Sequence, residues 1–268
     1  METWIVKLGG SILTNKGCGE PILRADVLSR ICKEIATFLK SKQDVRLIVL
    51  HGAGSFGHPL AHRYGLNGSP LDETRLSGMA ETVLSMRTLN NLVTEQLRKE
   101  GLPAFPIQPN CMFNAQEDGS IINRGKEILS AILDAGGMPI LNGEAIFQVE
   151  GRVTIASADA LAVVLAKEFG VGRIIFASDV DGVYASFPPA EGEKPLEVIT
   201  RKDIDEIVSK DVAVKEGGMD VTGEMAGKLR ALLPLKSVSV DIVNGLVPGV
   251  LSEALSGKIV GTRVELYV

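Results

Sequence analysis

Cysteine and histidine are scarce in this chain, and each scarcity removes a class of protein from consideration. The 3 cysteines, Cys18, Cys32 and Cys111, are odd in number, widely spaced and form no C-x-x-C pair. That argues against a disulfide-framed secreted domain and a cysteine-held zinc site, and it fits a reduced cytoplasm. The 3 histidines fall at positions 51, 58 and 62. His58 and His62 stand four apart, but Pro59 follows the first and no carboxylate completes a ligand set nearby, so no metal centre is expected. No apolar run approaches the roughly 18–20 residues of a membrane helix, and Lys7 with the glycines after it interrupts any hydrophobic leader core. A basic excess is missing too: 28 Lys and Arg against 33 Asp and Glu leave a formal charge of −5. Nucleic acid is therefore not an expected partner. Any hold on a polyanionic nucleotide must come from lysines placed locally.

Short apolar runs do alternate with longer helical patterns, which predicts an α/β fold with a mainly parallel central sheet. Strands are predicted at 4–8, 46–50, 104–107, 138–142, 173–177 and 238–243. Helices are predicted from Asp26 to Lys40 and from about Thr74 to Glu100, where apolar residues recur at three- and four-residue steps. Ile146–Val149 and Val153–Ile155 read as a hairpin beside the sheet. Ser157 is placed to cap a helix running to Phe169. The proline-rich stretch 186–195 reads as a surface loop. A soft division near residue 156 separates two expected lobes, 1–156 and 157–268, of a single domain with one continuous sheet.

The most informative stretch is His51-Gly-Ala-Gly-Ser-Phe-Gly-His58, which follows the apolar run Leu47–Leu50. Glycines allow close approach of the backbone to a ligand and aim N–H groups at an anion, and His58 adds a side-chain donor. Residues 52–57 also match G-x-G-x-x-G, with Asp72 and Glu73 about 20 residues on. That fingerprint needs its acid at the tip of a second strand; here Asp72 follows the loop Asn67–Pro70, so an anion cradle at a helix N-terminus is the better reading. A tight turn that merely lets a helix pack is the plain alternative. A second glycine loop, Lys7-Leu-Gly9-Gly10-Ser11, carries a cation inside an apolar strand, and an unpartnered buried ammonium is costly. For Lys16, in a polar loop, phosphate contact and simple solvation are both open. Asp159 opens a helix as a cap, or orients Lys7 and Lys228 if these converge on it. Asp179 and Asp181 follow a strand, where they form a turn, hold ribose hydroxyls or position Mg²⁺. Gly223–Lys228 repeats the glycine-plus-lysine theme. Neither glycine loop carries a carboxylate base, yet a phosphate-monoester acceptor with a second pKa near 6 needs none. Two anion loops on neighbouring strand ends therefore predict phosphoryl transfer between two phosphate-bearing ligands.

Together, Lys7–Ser11, His51–His58, Asp179–Tyr184, Asp220–Gly223 with Lys228, and Gly261-Thr-Arg263 resemble the signature of the amino acid kinase superfamily, and within it the isopentenyl phosphate kinases. The resemblance spans essentially the whole chain in order. It implies an open αβα sandwich, usually a homodimer, that uses ATP and Mg²⁺ to phosphorylate isopentenyl phosphate in an archaeal-type mevalonate branch. It implies that Lys7, Gly9, Gly10 and Ser11 cradle the ATP phosphates and that Lys16 stabilises the transferring phosphoryl group. Ala53 and Gly54 would present N–H groups between the two ligands, and His58 would bind the acceptor phosphate. Asp159 would organise the lysines, Asp179 would sit at the nucleotide and Lys228 would contact ATP. Mg²⁺ would be held mainly through the nucleotide phosphates. Two positions depart from the family: Ala158, beside the acceptor phosphate, and Glu224, beside the nucleotide, where glycines are common. Met79, Val83 and Met86 are candidates for the apolar end of the acceptor pocket or for the core.

Competing expectations are a kinase of the same superfamily acting on another anion such as fosfomycin, acetylglutamate, carbamate or a nucleoside monophosphate; a nucleotide-binding sensor without catalysis; and an NAD-dependent oxidoreductase built on the 52–57 fingerprint.

Overall fold

The computed structural model describes residues 1–15, 20–185, 189–214 and 223–266, with the backbone alone over 209–214 and 223–224. Three runs rich in Val, Ile and Leu form the centre: β1 (Glu2–Leu8), β2 (Val45–His51) and β10 (Arg173–Ser178). All three are buried along almost their whole length, as expected for parallel strands covered on both faces. They sit inside an eight-stranded sheet of order β11-β13-β12-β10-β1-β2-β7-β4. The outer members are β4 (Ala104–Pro106), β7 (Met138–Asn142), β11 (Val198–Thr200), β12 (Ser239–Asn244) and β13 (Thr262–Glu265). Every pairing is parallel except that of β12 with β13.

The two-residue period of a strand sends alternate side chains of β1 to opposite faces. Trp4, Val6 and Leu8 join a buried cluster with α2 (Ala25–Ser41), α4 (Glu73–Lys99) and α9 (Val250–Leu255). Ile5 joins the other, with α5 (Lys126–Asp134), α6 (Ala158–Phe169), α7 (Arg201–Val214) and α8 (Gly223–Leu232). The result is the open αβα sandwich expected from the sequence. Lys7 shares the face of Ile5, and this parity sends it toward α6 and α8.

All six predicted strands are present to within two residues at either end, as are both long helices and the Ser157-capped helix. The predicted hairpin is β8 (Glu144–Gln148) with β9 (Arg152–Ala156), turned by Glu150 and Gly151, both at positive φ. It is not an appendage of the main sheet. It forms the middle of a second, five-stranded sheet with β3 (Ser69–Pro70), β5 (Phe113–Ala115) and β6 (Ile121–Asn123). Strands of two or three residues show no readable alternation, which is why the sequence hides them. The second sheet also corrects the setting of Asp72, which follows β3 rather than a plain loop; because β3 lies outside the central sheet, the dinucleotide fingerprint is still incomplete. Asp72 instead caps α4, accepting from Arg75 N at 2.8 Å. Of the stretch 186–195, residues 189–195 contain no helix or strand and 186–188 lie outside the described residues.

Behind the sheet, the buried Asp241 carboxylate accepts from Arg173 Nε and Nη2 (2.8 and 2.6 Å) and from Arg263 Nε (2.9 Å), binding β10, β12 and β13 together. Removing one member of such a buried set strands the others. Asp241→Ala should therefore cost about 3–5 kcal/mol, read as a lowered denaturant midpoint.

Candidate active site

The carboxyl ends of β1, β2 and β10 lie side by side, with Leu8 opposite both His51 and Ala177. Strand order reverses here, because the chain leaves β1 toward β2 and later returns on the other side through β10. Ligands of open α/β sheets bind at such a switch point. Gly9 N donates to Ala177 O (2.7 Å) and Gly52 N to Leu8 O (2.8 Å), anchoring both glycine loops on this edge.

The two loops touch. A Cβ on Gly10 would collide with the backbone nitrogen of Gly54, and one on Gly52 would come to 2.6 Å from Gly10 N. Gly54 itself has φ of +50°, and a Cβ there would overlap the Thr14 hydroxyl. That hydroxyl joins the loops, donating to Gly10 O (2.9 Å) and accepting from Ser55 N (2.9 Å). The glycines therefore serve loop-to-loop contact as well as exposing N–H groups. Thr14, absent from the sequence-based candidates, is the residue that couples them. The first loop leads into α1 (Gly10–Leu13) and the second into α3 (Gly54–Tyr64), whose fifth residue is His58.

Lys7 and Lys228 converge on Asp159 as the conditional reading required: Lys7 Nζ lies 2.8 Å from Oδ1 and Lys228 Nζ 2.5 Å from Oδ2. Asp159 stands in the first turn of α6, capped by Ser157 Oγ accepting from Ala160 N at 3.1 Å. Burial alone would raise the carboxyl, but the two ammonium groups outweigh it and hold Asp159 at about 2. The Lys228 ammonium also stands 5.3 Å over the Phe176 ring, a favourable cation–π placement.

Both loops and this clamp open into one cavity of about 1530 Å³. Single-ligand sites usually run to roughly 300–1,000 Å³, so this one has room for two. Its wall includes Gly9, Gly10, Ser11, Ala53, Gly54, His58, Ala158 and Asp179, each predicted from the sequence. Lys16 lies outside the described residues, as does the Glu224 side chain. The Asp181 carboxylate accepts from Asn244 Nδ2 at 2.7 Å, so it is engaged in holding its loop. The Gly261–Arg263 motif supports the same loop, Thr262 Oγ1 accepting from Val183 N at 2.7 Å. Among the described residues no group of three or more His, Cys, Asp or Glu is arranged to hold a metal. The buried Ser178 hydroxyl, in the cavity wall, has no protein partner there and suits a ligand oxygen.

The apolar candidates divide. Met86 lines the cavity, with Ala61, Thr82, Ala145 and Ile155. Met79 and Val83 pack instead with Leu66, Ala145 and Val153 in a small separate cluster. His51, at the head of the glycine motif, is fully buried, and burial pushes its imidazole down to about 4, leaving it neutral at pH 7. Glu144, which the sequence reading passed over, also lines the cavity. Its signal was a lone acid within the otherwise apolar and amide residues from Met138 to Phe147.

This fold and this pairing of loops define a class. The chain belongs to the amino acid kinase family, whose model matches residues 2–243. Similar proteins include the isopentenyl phosphate kinase of Methanothermobacter thermautotrophicus, 35% identical over 97% of this chain and 98% of that one. Another is the isopentenyl phosphate kinase of Methanocaldococcus jannaschii, 30% identical over 97% and 98% respectively. An X-ray structure of isopentenyl phosphate kinase superposes with a TM-score of 0.81 at 30% identity, covering 98% of this chain and all of the other.

Two outcomes follow from the geometry. Gly10→Ala must force the loops apart and should cost about 1–3 kcal/mol together with most of the turnover, measured by thermal melts and steady-state rates. Asp159 has a folded pKa below its ordinary value, so its stabilisation is present above about pH 4 and is lost as pH falls toward 2. Asp159→Asn should thus melt below wild type at pH 7, with the gap closing between pH 4 and 2.

Proposed function

We propose that this protein is an isopentenyl phosphate kinase, transferring the γ-phosphoryl group of ATP to isopentenyl phosphate. The observation that carries this reading is the single two-ligand cavity with the Lys7–Asp159–Lys228 clamp on one side and the His58 helix turn on the other. An oxygen of the acceptor phosphate bonds to the γ-phosphorus as the bond to the bridging oxygen of ADP breaks. Such transfer depends on alignment and charge neutralisation more than on proton removal.

In this assignment Lys7, Gly9, Gly10 and Ser11 bind the ATP phosphates, with Lys228 beside them and Asp179 at the nucleoside end. Ala53 and Gly54 offer N–H groups to both ligands, His58 donates to the acceptor phosphate, and Lys16 neutralises the group in transit. Ala158 borders the acceptor phosphate and Glu224 the nucleotide. Asp159 keeps the two ammonium groups in place. Mg²⁺ would neutralise nucleotide charge while held mainly by the phosphates. Residues 1–156 then form the acceptor lobe and 157–268 the nucleotide lobe, with Lys7–Ser11 reaching the ATP phosphates from the first and Ala158 the acceptor from the second. Residues such as Met86 and Ile155 would cover the five-carbon tail, worth about 4 kcal/mol at roughly 0.8 kcal/mol per CH₂. That excludes free phosphate but discriminates weakly against an isomer. The same reading carries a homodimer, a cytoplasmic setting and a role in isoprenoid biosynthesis; among the described residues no helix is long and apolar enough to cross a membrane.

A coupled ADP-release assay against isopentenyl, dimethylallyl and geranyl phosphates and fosfomycin should give the highest kcat/KM with isopentenyl phosphate. A higher value for fosfomycin would reject the assignment. His58→Ala should weaken acceptor binding and turnover by about tenfold or more, the scale of one charge-assisted hydrogen bond, with His58→Gln recovering part of both. Equal rates in His58→Ala and wild type would remove His58 from the mechanism.

A further inference from the structure

Between β7 and β8 the chain turns through Asn142-Gly143-Glu144, and Asn142 and Glu144 are buried there at 0% and 1% exposure. Glu144 Oε2 accepts from Gln108 Nε2 (2.8 Å) and from Asn142 Nδ2 (3.1 Å), and Oε1 accepts from Ala145 N (3.2 Å). Gln108 Oε1 in turn accepts from Arg87 Nε at 2.9 Å. The turn is wedged between two arms of the active site. Gly143 N donates to His51 O at 2.9 Å, fixing the end of β2 where the acceptor loop begins. On its other side a Cβ on Gly143 would stand 2.9 Å from Ala158 N, so the turn abuts the N-terminus of α6 that carries Asp159. His51 is itself tied to α4 through Asn90 Oδ1 at 3.2 Å, and Asn90 Nδ2 donates to Ile107 O at 3.1 Å.

We propose that Glu144 is a positioning residue for the acceptor phosphate, acting through Gly143 on the His51–Gly52 strand end and on the N-terminus of α6. This rests on the phosphate-acceptor reading given above. The ionised carboxylate gathers three donors and so fixes the turn. It does so at a cost in stability, because burial pushes its pKa up to about 7 against the favourable hydrogen bonds and the Arg87 charge. All three of its partners are donors, so an amide in its place would set an NH2 group against at least one of them, and only a carboxylate accepts on both sides.

Other charged groups on the elements packed against β8 do not replace Arg87. Arg152 of β9 lies opposite Gln148, at the far end of the hairpin. Cys111, on the short turn before β5, is exposed, and β5 carries no titratable side chain. Asn142 Nδ2 also donates to Gly143 O at 2.9 Å, and among the described residues its buried Oδ1 has no hydrogen-bond partner, an acceptor for the carboxyl O–H when Glu144 protonates. Protonation would then turn the Asn142 amide and reset the wedge.

The sign follows. Above pH 7 the carboxylate is ionised and the acceptor site is set; below it the wild type approaches the behaviour of a neutral side chain. At pH 8, Glu144→Gln should raise the acceptor KM about tenfold, the scale of losing one charge-assisted bond, and the ATP KM by a clearly smaller factor. The mutant-to-wild-type KM ratio should fall toward one by pH 6; taking the ratio cancels the acceptor's own ionisation. Gln108→Leu, at the partly exposed edge of the network, should raise the acceptor KM severalfold by the same route and serves if Glu144→Gln does not fold. A ratio near one at pH 8 in a folded variant overturns the inference. Wild type inactive with every phosphate tested would instead overturn the kinase reading, and the inference with it.

Discussion

A single carboxylate holding two ammonium groups apart from water is the constraint on which this site depends. Like charges about 4 Å apart at an effective dielectric near 20 repel by about 4 kcal/mol, so two lysines would not face one cavity without a mediator. Asp159 supplies it, one oxygen for each lysine. The sheet makes the meeting possible. Lys7 shares the Ile5 face of β1, Asp159 begins the helix packed on that face, and Lys228 reaches the same point from α8 across Phe176. A shift of one residue in β1 would send Lys7 to the opposite layer.

Around this ionic centre two glycine loops end on adjacent strands, each followed by a helix, and both line one chamber. Side chains add to that wall: His58, the Ser178 hydroxyl, which has no hydrogen-bond partner among the described residues, and a set of buried polar residues behind the second loop. That hidden set, His51, Asn90, Asn142 and Glu144, is unusual in lying within otherwise apolar layers.

The middle of the central sheet was legible because β1, β2, β7, β10 and β12 are long and buried and read as apolar runs, whereas its short members β11 and β13 were missed. The glycine loops and the lysine clamp were legible for a related reason: a cation inside an apolar strand, or glycines at its end, contradicts packing and points to a ligand. The second sheet was not legible, since β3, β5 and β6 are too short to show a period. Thr14 and Glu144 were missed because their importance lies in tertiary contact. A threonine in a loop and an acid near a turn look ordinary until Ser55 and Gln108 are found beside them. Met79 and Val83 share helical spacing with Met86, and only the packing separates wall from core.

The stapling of the two loops by Thr14 has a consequence for how such an enzyme diversifies. In the assignment proposed above, the gap between donor and acceptor anions is set by main-chain atoms in direct contact, which no side-chain exchange at the pocket wall can stretch. In the same assignment the hydrocarbon end of the acceptor is bounded by different elements, α4 and the second sheet. Evolution can therefore recut the tail pocket for longer, shorter or more polar guests while the reacting atoms keep their separation.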